Sequence, residues 1–128
     1  MKNLLALALV ACFASSVLPC LAQATDSPAQ AQAVLNRLLQ AVKDNDYNAF
    51  VQDGTPQFMA GMTKQMLMGV HGQLAPRMEG GYVTEFMGKL NQSGMDVFVY
   101  KLIYSVAGDD TLVKLALDGN KVAGFWLQ

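Results

Sequence analysis

Reactive side chains are scarce in this sequence. Two cysteines and a single histidine occur in 128 residues, and both cysteines, Cys12 and Cys20, fall within the first two dozen positions. Metal centres gather several His, Cys or acidic ligands at short spacing, and no such cluster occurs. No metal or cofactor site is therefore expected. Gly-x-Ser-x-Gly and recognisable Ser/His/Asp spacing are also missing, so nucleophilic catalysis has no motif to rest on and no residue is assigned a catalytic role. There is no run of Lys or Arg to neutralise phosphates, which argues against nucleic acid as a partner.

Long apolar runs are equally scarce. The one at the N-terminus follows Met1-Lys2-Asn3, covers Leu4 to Phe13, and gives way to Ser15, Ser16 and Pro19. That is the three-part order of a secretory signal, and Ala22-Gln23-Ala24 supplies the small residues accepted before cleavage. Residues 1–24 read as a signal peptide and 25–128 as one exported domain, periplasmic or secreted, with no membrane attachment after cleavage. Its apolar core is shorter than the ~20 residues of a spanning helix. Lipidation on Cys20 is the competing outcome, disfavoured because Pro19 stands directly before it. Cleavage leaves 104 residues with no thiol and no disulfide. It also removes Lys2, taking the formal charge from −1 to −2.

What is present is pattern. Ser27-Pro28-Ala29-Gln30 reads as a helix start, after which Ala31, Val34, Leu35, Leu38, Leu39 and Val42 recur at helical spacing. Asp46 is placed to cap a short helix carrying Tyr47, Phe50 and Val51, and Thr55-Pro56 repeats the cap signal for a third. In that third helix Phe58, Met59, Met62, Met66, Leu67 and Val70 share an arc, with Lys64, Gln65 and Met68 outside it. Residues 71–81, rich in glycine and holding Pro76, read as a loop with at most a turn of helix. Alternation then predicts four strands at 82–90, 95–106, 111–118 and 121–128, joined by short polar glycine-containing turns as antiparallel hairpins. Helices followed by a meander indicate an α+β fold with N-terminal helices on one face of a curved antiparallel sheet.

Asp44-Asn45-Asp46-Tyr47-Asn48-Ala49-Phe50 and the closing stretch Leu112 to Leu127, with its Gly124-Phe125-Trp126 triplet, resemble the nuclear transport factor 2-like superfamily. The similarity is to its small secreted bacterial members. It implies a cone-shaped, cystatin-like domain, and in the superfamily's enzymes an ionisable residue set against Tyr or Trp inside the cone. The acids here depart from that arrangement. Asp96 and Asp118 flank turns, and Glu85 is opposite in phase to Tyr82, Thr84 and Phe86.

Candidate ligand contacts are therefore aromatic: Tyr82, Phe86, Tyr100, Tyr104 and Trp126, not all of which strand phase can place inside, together with His71. Met59, Met62, Met66 and Met68 could hold Cu(I) through sulfur, but Met59, Met62 and Met66 share the arc with Phe58, Leu67 and Val70, which fits core filling better. Phe98, Tyr100, Leu102, Tyr104 and Val106 share one side of the second strand, while Val97, Val99 and Ile103 lie on the other around Lys101. A strand apolar on both sides needs two covers, so a homodimer through the outer sheet face is expected. The leading functional expectation is non-enzymatic binding of a small hydrophobic ligand or a peptide segment. A lyase or isomerase acting on a small organic molecule and a purely structural dimerising module are the alternatives.

Overall fold

The computed structural model describes residues 28–128. The expected signal segment with Cys12 and Cys20, and the expected Ser27 cap, lie outside the described residues. Helix α1 (Pro28–Asp44) buries Ala31, Val34, Leu35, Leu38, Leu39, Ala41 and Val42 along one side, as its spacing predicts. It stops at Asn45, whose φ of 53° is left-handed. The Asp46 N–H then donates to the Ala41 carbonyl at 2.9 Å, satisfying an end carbonyl that has no partner within the helix. Asp46 immediately caps α2 (Tyr47–Val51), its side chain accepting from the Ala49 N–H at 3.0 Å.

The third helix differs from its sequence expectation. A break at Met62 divides it into α3 (Pro56–Gly61) and α4 (Lys64–Met78). Met62 is extended, and Thr63 starts the second piece by accepting from the Met66 N–H at 3.1 Å. The assumed single arc is thereby lost. Met59, Met66 and Met68 are exposed rather than core, which overturns the core-filling reading for Met59 and Met66. Residues 71–78, expected as loop, continue the helix through Gly72 and Pro76 because Leu67, Leu74, Ala75 and Met78 are buried along it. Tertiary packing outweighs the cost of glycine and proline in the helix interior.

Four strands follow: β1 (Tyr82–Gln92), β2 (Met95–Tyr104), β3 (Thr111–Asp118) and β4 (Lys121–Leu127). They pair antiparallel in chain order. Ser93 and Gly94 both have positive φ, as the two-residue turn that best matches strand twist requires. The second strand ends at Tyr104, so Val106, expected within it, lies beyond. Edge strand β1 carries a bulge between Phe86 and Gly88, where Met87 is the extra residue.

Tyr100 and Phe98 of β2, Val113, Leu115 and Leu117 of β3, and the apolar stripe of α1 form one buried cluster. The start of β4 is stitched to the connection between α2 and α3. Thr55 N–H donates to the Val122 carbonyl and Val122 N–H to the Asp53 carbonyl, both at 2.8 Å. Buried Thr55 also caps α3 through its hydroxyl, which accepts from the Phe58 N–H at 3.1 Å. Thr55→Val keeps the shape and loses the cap, so urea unfolding should show a loss of about 1–2 kcal/mol.

Candidate functional site

Strand alternation sends Tyr82, Thr84 and Phe86 of β1 to the same face as Tyr104, Leu102 and Tyr100 of β2, their partners in register. This is the face against the helices. The two β2 tyrosines are buried, but their hydroxyls differ in circumstance. Tyr104 pairs with the Thr111 hydroxyl at 2.9 Å, and its ring is covered by the Arg77 guanidinium at 3.9 Å. Arg77 in turn donates to the Asp109 carbonyl. Tyr104 is thus held by its neighbours as a structural residue.

Tyr100 is 0% exposed, and its hydroxyl is the one buried side-chain polar atom without a hydrogen-bond partner among the described residues. Burial pushes this phenol up to about 12 and moves Tyr82 in the same direction. At neutral pH, Tyr100 is therefore an uncharged donor with nothing to donate to. Such a group costs about 1–3 kcal/mol of desolvation. Phe86, by contrast, is 42% exposed although it faces inward. Its ring centroid lies 5.4 Å from that of Tyr100 and 6.4 Å from that of Phe98. It closes the sheet edge over Tyr100, one residue before the bulge. Thr84, beside it, accepts a hydrogen bond from the Gln32 side chain of α1 at 2.9 Å.

The other candidates are placed elsewhere. Trp126 aligns with Lys114 in register and so occupies the opposite face of the sheet from Tyr100. His71 lies on α4, where Nδ1–H donates to the Val42 carbonyl in the last turn of α1 at 2.8 Å. That is a helix-end contact. Glu85 is on the outer face and pairs with Lys101 at 3.3 Å. Neither His71 nor Glu85 hydrogen-bonds to the Tyr100 hydroxyl. The structure thus brings together Tyr82, Phe86, Tyr100 and Tyr104, and leaves Trp126 and His71 apart from them.

A separate open cleft of about 790 Å³ lies between the α1–α2 turn and the start of α4, lined by Asp44, Asp46, Tyr47, Lys64, Gln65 and Met68 among others. Its walls are mixed in charge. Asp44 accepts from Gln40, Asp46 caps α2, and Lys64 sits 5.9 Å from the Tyr47 ring centroid. No group of three or more His, Cys, Asp or Glu side chains that could hold a metal occurs among the described residues. No described helix is long and apolar enough to cross a membrane.

The residues that separate the two tyrosines, Thr111 and Arg77, escaped the sequence reading. Thr111 had a signal, since a threonine opening a strand beside a tyrosine is a natural hydroxyl partner, whereas Arg77 was hidden in the stretch read as loop. No protein-family model matches this chain, and no curated protein matches it in sequence.

Proposed function

We propose that this chain is an exported, non-enzymatic binding protein of the nuclear transport factor 2-like kind, taking a small uncharged apolar ligand on the helix-facing side of its sheet. The unpartnered Tyr100 hydroxyl is the observation that supports it. A ligand with a single acceptor, such as a carbonyl, would remove the cost of that orphan donor and keep its apolar remainder among Phe86, Phe98 and Leu102. Entry requires Phe86 to swing outward. Its exposure and its position before the β1 bulge make that movement inexpensive, because an edge strand has no neighbour on its outer side. A carboxylate ligand is disfavoured, since burying a charge beside a phenol whose own ionisation burial suppresses is costly. Among the described residues no acid or base hydrogen-bonds the Tyr100 hydroxyl, which supports binding over turnover.

Acetophenone and ethylbenzene test this, being similar in shape and differing by a carbonyl. At ten times its dissociation constant, a ligand that binds only the folded state adds about 1.4 kcal/mol, or roughly 5–10 °C in the melting temperature of a domain this size. Acetophenone should stabilise the wild type more than ethylbenzene does, and Tyr100→Phe should erase the difference. Equal shifts in both proteins would remove Tyr100 from the site. No shift with either compound would favour the alternative that this packed face is purely structural.

A further inference from the structure

The open cleft of about 790 Å³ between the α1–α2 turn and the start of α4 has none of the residues grouped around Tyr100 in its lining. Two hydrogen bonds fix its walls. The Tyr47 hydroxyl donates to the Met62 carbonyl at 2.9 Å, fastening the turn to the break before α4, and the bond from His71 to the Val42 carbonyl ties α4 to the last turn of α1. The cleft is therefore preformed. Its walls carry opposite charges, Asp44 and Asp46 on the turn and Lys64 on α4. Among the described residues none of the three takes part in an ion pair, whether with one another or with a neighbour. Asp44 uses one carboxylate oxygen to accept from Gln40, and Asp46 uses one for its cap, so each keeps a second oxygen for another donor. Lys64 holds its ammonium 5.9 Å from the Tyr47 ring centroid. Helix stability does not account for Asp44 or Lys64. Asp44 ends α1 and Lys64 opens α4, and a carboxylate at a helix C-terminus or an ammonium at an N-terminus opposes the helix dipole.

We infer that this cleft binds a small zwitterion of the amino-acid class, its ammonium taken by Asp44 and Asp46 and its carboxylate by Lys64. The charge layout selects the class. A plain anion would face the two carboxylates, a plain cation would face the Lys64 ammonium, and an uncharged molecule would leave all three groups without a counter-charge. A molecule carrying both signs satisfies both walls, through charge-assisted hydrogen bonds that are stronger than neutral ones. The rest of the lining suits an apolar side chain. Tyr47 is half-buried, and Met68 is 56% exposed with no core to fill. Methionine is flexible and polarizable, so it adapts to side chains of differing shape. Gln65 adds an amide that both donates and accepts. The volume falls within the ~300–1,000 Å³ of small-molecule sites. Tyr100 takes no part in this second site.

Titrating the isotope-labelled chain at pH 7 with L-leucine, L-leucinamide and N-acetyl-L-leucine, followed by amide NMR shifts, tests this, because the last two each lack one of the charges. Leucine should shift the amides of Asn45, Asp46 and Gln65 to saturation. It should bind roughly three- to fivefold more tightly than either derivative, the effect of one exposed ion pair. Lys64→Gln should remove the advantage of leucine over leucinamide, and Asp44→Asn should reduce its advantage over N-acetyl-leucine. Both positions are exposed, so the fold should persist. Without ligand both variants should melt at or above the wild type, since each loses a charge that the helix dipole opposes. Tyr100→Phe should bind leucine as the wild type does, which separates this site from the one on the sheet. No shift of the cleft amides with leucine would overturn the inference. Equal binding of leucine and either derivative would also overturn it, because one charge would then suffice.

Discussion

Phe50→Ala should lower the unfolding free energy by about 3–5 kcal/mol, the range for emptying a buried aromatic position. Phe50 sits on a five-residue helix too short to be stable alone. Its ring meets Phe58 of α3 at 5.8 Å and stands edge-on to Phe125 of β4 at 5.6 Å. One side chain therefore joins two consecutive short helices to a strand some seventy residues later in the chain. Losing it leaves Val51 as the remaining buried side chain of α2 and Phe58 as that of α3, with the backbone bonds of Thr55 and Asp53 to Val122 beside them. With total stabilities of about 5–15 kcal/mol, the variant should melt more than ~10 °C below the wild type. Urea unfolding followed by circular dichroism measures this directly, and a loss under ~1 kcal/mol would mean that the Phe50 contacts do not anchor the short helices.

The second large effect is alkaline. A phenol at about 12 in the folded chain and at the ordinary 10.0 when unfolded binds its proton more tightly in the native state. Between those two values the unfolded chain releases protons that the folded chain retains, so the slope of stability with pH is negative. The contribution is whole below pH 10 and is lost as pH rises through about 12. Two units correspond to about 2–3 kcal/mol. Tyr82, moved in the same direction by burial, adds to the same limb. Tyr100→Phe should flatten the decline and, by deleting an unsatisfied hydroxyl, leave stability at pH 7 equal or higher by up to ~1 kcal/mol. Denaturant midpoints from pH 8 to 12 give both quantities. An identical alkaline decline in wild type and variant would refute the assigned burial of the phenol.

The strands were legible because their turns are explicit and their alternation is regular. The parity of Tyr82, Phe86, Tyr100 and Tyr104, and the opposite parity of Glu85, followed from a period of two alone. Trp126 could not be placed the same way, because a register irregularity in β4 near Ala116 and Leu117 uncouples simple counting from facing. The helical region was harder. Thr63 is a cap in the middle of what reads as one apolar arc, so shifting the phase there moved Met59 and Met66 to the surface. Past it, Gly69, Gly72 and Pro76 signal a loop, yet Cβ positions at both glycines meet nothing within 4 Å. They lie where packing asks nothing of them, while Leu74 and Met78 hold the helix down. The site's defining feature, an orphan hydroxyl, is a statement about absent partners. Such absence depends on every neighbour in space and cannot be seen along the chain.

A crystal structure of the chain grown with acetophenone decides whether the Tyr100 hydroxyl is a ligand contact. The expected result is the Phe86 ring turned out from the sheet edge and the probe's carbonyl oxygen within hydrogen-bond distance of the Tyr100 hydroxyl. Phe86 still packed over Tyr100, no probe beneath it, and the hydroxyl bonded to an ordered water or a protein acceptor would contradict it.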